Sequence, residues 1–508
     1  MSSSTVAGIA TASFSDLPTD IFLIIKGFLN PDDFFNLAHV CRGFNMLLKD
    51  KLEKYQYRRA IWRNVEVDIS NPDSTSRLSI WELLFHIVAD PSIPYFIKNL
   101  TIRYTGDIRP ACSHCIWGTL FDNFCYDQDI DQFDLDKDDA LGALSALIEN
   151  SPYTKYMEIL EQRGETLTRR GRTYQTRRSW SRLIERGSTH AAAALLFITL
   201  PRVEKLAIHA DNFEYSEIQR LFPEVMLAIA FLNSLAIRSD PLNFDRLDRA
   251  RSALEGSRDS LSLTRVRNLE IRPLNDNVEG MKLSEAAEFM RLPSVRDISI
   301  HKLTPLRLGT YSRIGKWYGD KYFLSHAERL RISDSSTIDG RGMEYLLARM
   351  PHLTALSYHF GAKFHKRDWE VLQVLQQQAG QRLRELDLIP AKHAPPQHKS
   401  FSSDLSKILA RNFAKLKRLA VPIDALPAYK AAKISSWLPP SVESLQVYDW
   451  STDGKSIPAL FEEHLCEADC NLPRLQEICV VGKAGRWCNG WNEMLLDQGR
   501  VEFEFRVE

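Results

Sequence analysis

The sequence predicts an α/β protein in which a small helical domain at the N-terminus is followed by an irregular solenoid with parallel strands. Three observations support this: a helical apolar pattern before residue 50, a six-residue motif that recurs along the chain, and helix-like stretches between its copies. A chain of 508 residues is long enough for about three or four average domains. Stacked repeats can absorb the same length in a single array.

The helical apolar pattern runs from Leu17 to Leu48 and predicts two short helices. Pro18 suits a first helical turn, and the residues after it place apolar side chains on one face: Ile21, Ile24, Ile25, Phe28 and Leu29. Asn30 and Pro31 are typical of a helix start. The second predicted helix carries one apolar stripe: Phe34, Leu37, Ala38, Cys41, Phe44 and Leu48. So small a unit cannot bury all of this surface alone, so either the rest of the chain covers it or it docks a second protein.

This segment resembles an F-box. The matching residues are Leu17, Pro18, Asp20, Ile21, Ile25, Phe28, Leu29, Asp33, Leu37, Val40, Cys41, Phe44 and Leu48, with Trp62 as a closing aromatic. The resemblance implies binding to the Skp adaptor of cullin-based ubiquitin ligases. The residues expected to contact the adaptor are Leu17, Pro18, Ile21, Ile25, Phe28, Leu29, Asp33, Leu37, Val40 and Phe44. The stripe that contains Cys41 is expected to be internal core. A chance amphipathic hairpin is the alternative.

The recurring motif, called here the strand motif, is an apolar residue, two others, Leu or Ile, one other and a further apolar residue. It occurs first at Ile97–Ile102 and last at Leu475–Val480. Its central positions are 100, 206, 235, 269, 298, 330, 356, 386, 419, 445 and 478. From residue 206 onward they lie 26 to 34 residues apart, which is typical of solenoid repeats. Each motif predicts a short strand with Leu and Ile facing a core and variable residues facing outward.

The strand motif and its spacing resemble leucine-rich repeats, in the manner of fungal F-box proteins that carry such repeats. Helical stretches are predicted around the motifs at 79–88, 191–200, 216–230, 284–290, 342–350, 369–378 and 404–412. The spacing is irregular, and the Asn that usually ends the turn of the repeat does not recur. An ordinary α/β domain with similar strands is the alternative. The alternating end, Val501–Val507, predicts a strand that caps the last repeat.

Residues 104–189 break the rhythm of the motif. Eight Asp residues lie between Asp122 and Asp139, and eight Arg residues lie between Arg163 and Arg186. We expect a partly mobile insertion in which these charges can neutralise each other. The chain then divides into a loose tail (1–13), the F-box (14–60), a helical and strand linker with the first repeat (61–103), the insertion (104–189) and the repeat array with its strand cap (190–508).

Composition and motifs argue against several classes of function. Lys+Arg and Asp+Glu both number 65, so the chain as a whole is not expected to bind nucleic acid, although the Arg-rich stretch with Tyr174 and Trp180 could contact it. Eight cysteines are too few for a disulfide scaffold. The pair Cys112 and Cys115 lacks the second pair that structural zinc needs, and the Asp127 stretch lacks the Gly and Glu of a calcium loop.

The sequence also lacks the motifs of common enzymes and of secretion. We find no phosphate-binding glycine loop, nucleophile elbow or His-Glu zinc helix, so we expect no enzyme, no catalytic residues, no cofactor and no metal. The start has no secretory signal, and no apolar run is long enough to span a membrane. A cytoplasmic or nuclear location, or both, is expected.

Two hypotheses follow for the function. In the first, the chain is the substrate-recognition adaptor of a Skp–cullin–F-box ubiquitin ligase. The array would hold a protein target through outward strand positions: Lys205, Ala207, His209, Arg238, Glu270, Arg272, Asp297, Ser299, His301, Arg329, Arg331, Ser357, His359, Glu385, Asp387, Arg418, Gln446 and Tyr448. In the second, the chain is a repeat scaffold outside ubiquitin ligases, with the basic insertion as its working part.

Overall fold

The structure is a computed structural model, and all structural statements concern the residues that it describes. These are 31–40, 42–69, 78–104, 137–162, 176–210, 261–274, 283–302, 325–333, 338–360, 366–390, 413–422, 438–449, 474–482 and 502–507, with the single residues Ile21 and Ile229.

Two helices at the N-terminus pack against each other: α1 at Pro31–Val40 and α2 at Arg42–Trp62. Ala38 packs with Leu48 and Leu52 in a small core of their own. On one continuous helix, residues ten positions apart would be separated by about 15 Å. The prediction of a single helix over residues 34–48 was therefore wrong. An apolar stripe looks the same in the sequence whether it runs along one helix or faces across a pair.

The strands form one sheet of thirteen in the order β13-β12-β11-β10-β9-β8-β7-β6-β5-β4-β3-β1-β2. Every neighbouring pair is parallel. The strands are β1 Asn64–Asp68, β2 Leu78–Ser79, β3 Asn99–Tyr104, β4 Lys205–Ala210, β5 Asn268–Arg272, β6 Asp297–His301, β7 Arg329–Ser333, β8 Ala355–Phe360, β9 Glu385–Pro390, β10 Arg418–Pro422, β11 Ser444–Asp449, β12 Glu477–Gly482 and β13 Glu502–Val507. The predicted α/β fold with a helical N-terminus and a parallel, solenoid-like sheet is confirmed.

The register of the sheet aligns the strand motifs with one another. Leu206 pairs with Leu100 on one side and with Leu269 on the other, and all three side chains are buried. Because side chains alternate along a strand, aligned Leu and Ile residues form continuous rows on one face. These rows form one side of a large hydrophobic core.

A repeated backbone contact joins the start of each strand to the next unit. The carbonyl of Lys98 accepts hydrogen bonds from the N–H groups of Glu204 and Lys205, and the carbonyl of Glu204 accepts from Arg267 and Asn268. The same double contact recurs at Arg267, Arg296, Glu328, Thr354, Arg384, Lys417 and Glu443. Each unit is therefore fixed in register by its neighbour.

Helices cover the apolar face of the sheet, and their buried residues join the same core. They are α3 Ile80–Ala89, α4 Ile93–Phe96, α5 Lys137–Asn150, α6 Pro152–Gln162, α7 Thr176–Glu185, α8 Thr189–Thr199, α9 Leu283–Met290, α10 Gly340–Arg349 and α11 Lys366–Ala379. Ser79 begins α3 because its hydroxyl accepts a hydrogen bond from the Glu82 N–H at 3.1 Å while the Glu82 carboxylate accepts one from the Ser79 N–H. This reciprocal capping satisfies two N–H groups that the helix leaves unpaired.

The predicted helical stretches at 79–88, 191–200, 284–290, 342–350 and 369–378 coincide with α3, α8, α9, α10 and α11. The stretch at 404–412 lies outside the described residues, as does that at 216–230 apart from Ile229. The predicted C-terminal strand is β13, which pairs with β12 in a register that places Phe503 beside Ile478 and Phe505 beside Val480 along the backbone.

The sheet begins earlier than predicted, because β1 and β2 precede the first strand motif. β4 pairs directly with β5 in register. The strand motif centred on residue 235 lies outside the described residues.

The described part of the charged region is packed into the fold. Trp180 of α7 is fully buried, and its indole N–H donates to the Ala191 carbonyl at 3.1 Å. Tyr153 of α6 is also fully buried, and its hydroxyl accepts a hydrogen bond from the Ser262 N–H at 2.8 Å. The suggestion that Trp180 belongs to an exposed aromatic and basic surface was therefore wrong. The acidic stretch before residue 137 lies outside the described residues.

The part of the chain that the structure describes contains no helix both long and apolar enough to cross a membrane.

Candidate functional site

A groove of about 680 Å³ crosses the polar face of the sheet from β4 to β10. The polar face is the face opposite the aligned Leu and Ile rows. The residues that line the groove are Lys205, Asn268, Leu269, Glu270, Asp297, Ile298, Ser299, Arg329, Leu330, Arg331, Ala355, Leu356, Ser357, Glu385, Asp387 and Arg418. Most of its polar residues were predicted to face outward. Asn268 was missed although it occupies the same motif position as Lys205 and Asp297, which were predicted to face outward.

Charged residues at the starts of the strands pair with one another along the rim of the groove. Arg329 on β7 lies 3.5 Å from the Asp297 carboxylate on β6. Arg418 on β10 lies 3.5 Å from the Glu385 carboxylate on β9. These pairs are partly exposed, so each contributes little to stability. They do neutralise the rim and leave little net charge there for a ligand.

Glu270 on β5 is a further carboxylate of the groove that is paired with its neighbours. Its carboxylate lies 3.3 Å from the Lys205 ammonium and 3.9 Å from the Arg272 guanidinium. Burial alone raises the pKa of Glu270, but the hydrogen bond and positive charge of Lys205, with the charge of Arg272, lower it overall. Glu270 is therefore held as an anion by its own neighbours.

The centre of the groove holds three polar residues at one register position on consecutive strands. Arg331 on β7 pairs in register with Ser357 on β8, which pairs with Asp387 on β9. Arg331 is exposed and Asp387 is half-buried, whereas Ser357 is only 8% exposed. We call these three residues the central triad. Two strand spacings place its outer members about 9.5 Å apart at the backbone.

The side chains of the central triad lack the partners that the rim charges have. Among the described residues, Arg331 and Asp387 form no side-chain hydrogen bond and no ion pair within 4 Å. The Ser357 hydroxyl is buried without a hydrogen-bond partner. Burial raises the pKa of Asp387, and the charges of Arg418 and Arg331 lower it too little to compensate. The triad thus presents a cation and a poorly solvated carboxyl group to the groove, with the buried Ser357 hydroxyl between them.

A further polar residue, His209, lies near the end of β4 in the N-terminal part of the array. His209 on β4 is buried, and the Arg272 guanidinium donates to its Nδ1 at 3.3 Å. Because Arg has no acceptor, that nitrogen of His209 carries no proton. Burial, followed by the positive charge of Arg272, lowers the pKa of His209 to about 4. His209 is therefore a neutral structural residue.

Several residues predicted to form the target-binding surface are not accessible. Ala207, His209 and Tyr448 are each less than a tenth exposed, and Tyr448 packs in a small cluster with Ala420, Cys479 and Val481. The prediction that these positions face a target was wrong because alternation assigns a face and does not show what covers it. Arg238 lies outside the described residues.

The residues predicted to contact the Skp adaptor are described only in part. Leu17, Pro18, Ile25, Phe28 and Leu29 lie outside the described residues. Val40 belongs to α1 and Phe44 to α2, but their side chains are not described. Ile21 is 44% exposed, Asp33 is half-buried on α1, and Leu37 packs in part against the small core formed by Ala38, Leu48 and Leu52. The adaptor contacts remain predictions.

The helical N-terminus is the segment that comparison with known families identifies. Residues 14–59 match the F-box-like family. F-box domains generally bind the Skp adaptor within cullin-based ubiquitin ligases. The F-box-like segment ends within α2, just before the sheet begins at β1. No curated protein matches the chain.

The described residues hold no group of three or more His, Cys, Asp or Glu residues placed to bind a metal ion. The cysteine pair at Cys112 and Cys115 and the Asp127 stretch both lie outside the described residues.

Proposed function

We propose that this chain is the substrate-recognition subunit of a Skp–cullin–F-box ubiquitin ligase. The observation that carries the proposal is the match of residues 14–59 to the F-box-like family. In this role the F-box-like segment docks the Skp adaptor, and the groove on the polar face of the sheet holds a protein target. The chain itself is not an enzyme. It contributes proximity, because a tethered target is present at high effective concentration beside the catalytic subunits.

The division of the fold supports this role. The two N-terminal helices have a small core that is separate from the large core of the sheet. Exposed apolar side chains remain on them, including Met46 at 72% exposure. Apolar surface of this kind favours docking to another protein. We propose a cytoplasmic or nuclear location, or both, where such ligases operate.

Recovery of a cullin from cells tests the proposal. The triple variant Leu17→Ser, Pro18→Ser and Ile21→Ser is expected to lose the Skp adaptor and the cullin. Ile61→Ser is the matched control, because Ile61 is 49% exposed and lies just outside the family match at residues 14–59. It should leave recovery unchanged. A triple variant that still recovers both subunits would show that the adaptor proposal is wrong.

The second hypothesis, a scaffold outside ubiquitin ligases, has a different signature. If the triple variant loses the cullin while no protein changes its ubiquitination or half-life with loss of the chain, the scaffold would be favoured. The burial of Trp180 removes one aromatic residue from the basic surface on which that hypothesis relied.

A further inference from the structure

The polar residues of the groove fall into two groups: those that are paired with a neighbour and those that are not. Its rim consists of ion pairs between neighbouring strands, such as Arg329 with Asp297 at 3.5 Å. Its centre holds Arg331, Ser357 and Asp387 in register on β7, β8 and β9. Among the described residues, Arg331 and Asp387 carry opposite charges and have no ion pair of their own. A ligand that places a carboxylate beside Arg331 and a cation beside Asp387 supplies the missing partners.

We propose that the central triad recognises an extended polypeptide segment carrying one acidic and one basic side chain two residues apart. This rests on the proposed function, since the segment belongs to the target of the ligase. Arg331 binds the carboxylate of the segment, and Asp387 binds its ammonium or guanidinium group. The Ser357 hydroxyl is buried between them and makes no contact with the segment.

The spacing of the triad fits such a segment. Side chains two residues apart on an extended chain point the same way and lie about 7 Å apart. The backbones of Arg331 and Asp387 are about 9.5 Å apart across two strand spacings. The long side chain of Arg331 covers the difference. The groove spans seven strands, which suits an extended chain better than a small molecule.

The charge of the groove selects a carboxylate and a single cation. Arg329 and Arg418 are already paired with carboxylates, so Arg331 is the cation that remains available among the groove residues described. The guanidinium of an Arg donates two parallel hydrogen bonds to one carboxylate and balances its single negative charge. Glu270 is likewise held by Lys205, which leaves Asp387 as the carboxyl group that gains most from a positive ligand.

Peptide binding to the purified full-length chain tests this proposal. The probes are labelled hexapeptides in a Gly-Ser-Thr background that contain Lys-x-Glu, Glu-x-Lys, Lys-x-Lys or Glu-x-Glu, and fluorescence anisotropy measures their dissociation constants. At least one mixed-charge peptide should bind about tenfold or more tightly than both like-charge peptides. Equal binding of all four peptides would overturn the proposal.

Matched substitutions locate the binding in the triad. Arg331→Gln should weaken the preferred mixed peptide by about tenfold or more and remove its advantage over Lys-x-Lys. Asp387→Asn should remove its advantage over Glu-x-Glu. Arg296→Gln and Glu443→Gln are the controls, since they break the ion pairs with Glu328 and Lys417 at residues that do not line the groove, and they should change binding less than twofold. If the triad variants bind like the controls, the proposal is wrong.

A charge exchange gives a gain-of-function test. The double variant Arg331→Asp and Asp387→Arg should reverse the preferred order of Lys and Glu in the peptide. Circular dichroism of each variant confirms that it is folded. Unchanged order in a folded double variant contradicts the proposal. Cullin recovery by the triad variants stays intact in either case, so failure here is distinguishable from failure of the adaptor proposal.

Discussion

At the scale of single residues, two carboxylates in one groove differ because of their neighbours. Glu270 has an ammonium group at 3.3 Å, so its pKa is lowered overall despite burial. Asp387 has no such contact among the described residues, and burial raises its pKa. A carboxyl group that is poorly solvated and unpaired costs stability when it ionises. Its presence is therefore better explained by binding than by folding.

Asp387→Asn should stabilise the fold. The pKa of Asp387 is raised in the folded chain. The folded state therefore loses stability as pH rises above the pKa that Asp387 has in the unfolded chain. The loss is complete once pH exceeds the pKa in the folded chain. At pH 7 the amide removes that cost, and the midpoint of thermal unfolding should rise by roughly 1–3 °C. The difference should shrink toward pH 4. Glu385→Gln, which breaks the pair with Arg418, should not stabilise the chain. A lower midpoint for Asp387→Asn at pH 7 would contradict the prediction.

His209 should make the fold sensitive to acid. Its folded pKa is about 4, whereas the unfolded imidazole binds a proton near pH 6.5. Stability is therefore fully present above pH 6.5 and falls as pH is lowered toward 4, because only the unfolded chain gains the proton. Other charges that face the ring are those of Arg272, Glu270, Arg103 and Glu66.

His209→Gln should flatten this dependence while keeping an acceptor for Arg272. The thermal unfolding midpoint of the variant minus that of wild type should be larger at pH 5 than at pH 7.5. His39→Gln serves as the control, since His39 is exposed on α1. If the unfolding midpoints of wild type and His209→Gln changed with pH in parallel, the prediction would be wrong.

At the scale of elements, the helices of the charged region belong to the fold. α5, α6 and α7 contribute buried residues to the large core, among them Leu144, Tyr153 and Trp180. The hydrogen bond from the Ser262 N–H to the Tyr153 hydroxyl joins α6 to the segment just before β5. A sequence dominated by charge thus hides an amphipathic helical layer, because the apolar residues are spaced for one face of each helix.

Tyr153→Phe should weaken the link between this layer and the array. It leaves the Ser262 N–H buried without its partner, which costs about 1–3 kcal/mol. Urea unfolding followed by circular dichroism measures the loss. Tyr57→Phe makes the same chemical change at a residue that is 70% exposed on α2, and it should stay within about 0.5 kcal/mol of wild type. Equal effects of the two substitutions would show that the buried hydrogen bond is not important.

At the scale of the whole molecule, each unit of the array is stabilised by the units on either side of it. Each strand pairs with two others except at the ends of the sheet, and repeat arrays are stabilised mainly by such nearest-neighbour contacts. The last strand, β13, covers the edge of β12 with Phe503 and Phe505 in register.

Removal of residues 502–508 should therefore lower the stability of the array. The deletion removes the parallel pairing of β13 with β12, so urea unfolding followed by circular dichroism should show a lower midpoint than that of the full chain. Removal of Glu508 alone is the control and should leave the midpoint unchanged. An unchanged midpoint after deletion of residues 502–508 would argue against a capping role for β13.

The sequence by itself determined the rows of the core and the class of the fold. The strand motif places Leu and Ile at alternating positions, and alternation within six residues is a local property. Leu206, Leu269 and Ile298 are therefore buried where the motif predicted. The F-box-like segment was also readable, because its residues lie close together in the chain.

Only the tertiary structure decided which outward charges are paired and which remain available. The pairing of Arg329 with Asp297, and the absence of a pair at Arg331 among the described residues, depend on which strands are neighbours and on their register. Those strands are separated by long connections in the sequence. Burial by distant segments cannot be read from alternation, since alternation fixes the face of a side chain and not what lies over it. The physical reason is that core rows follow from local geometry, whereas the groove depends on contacts between residues far apart in sequence.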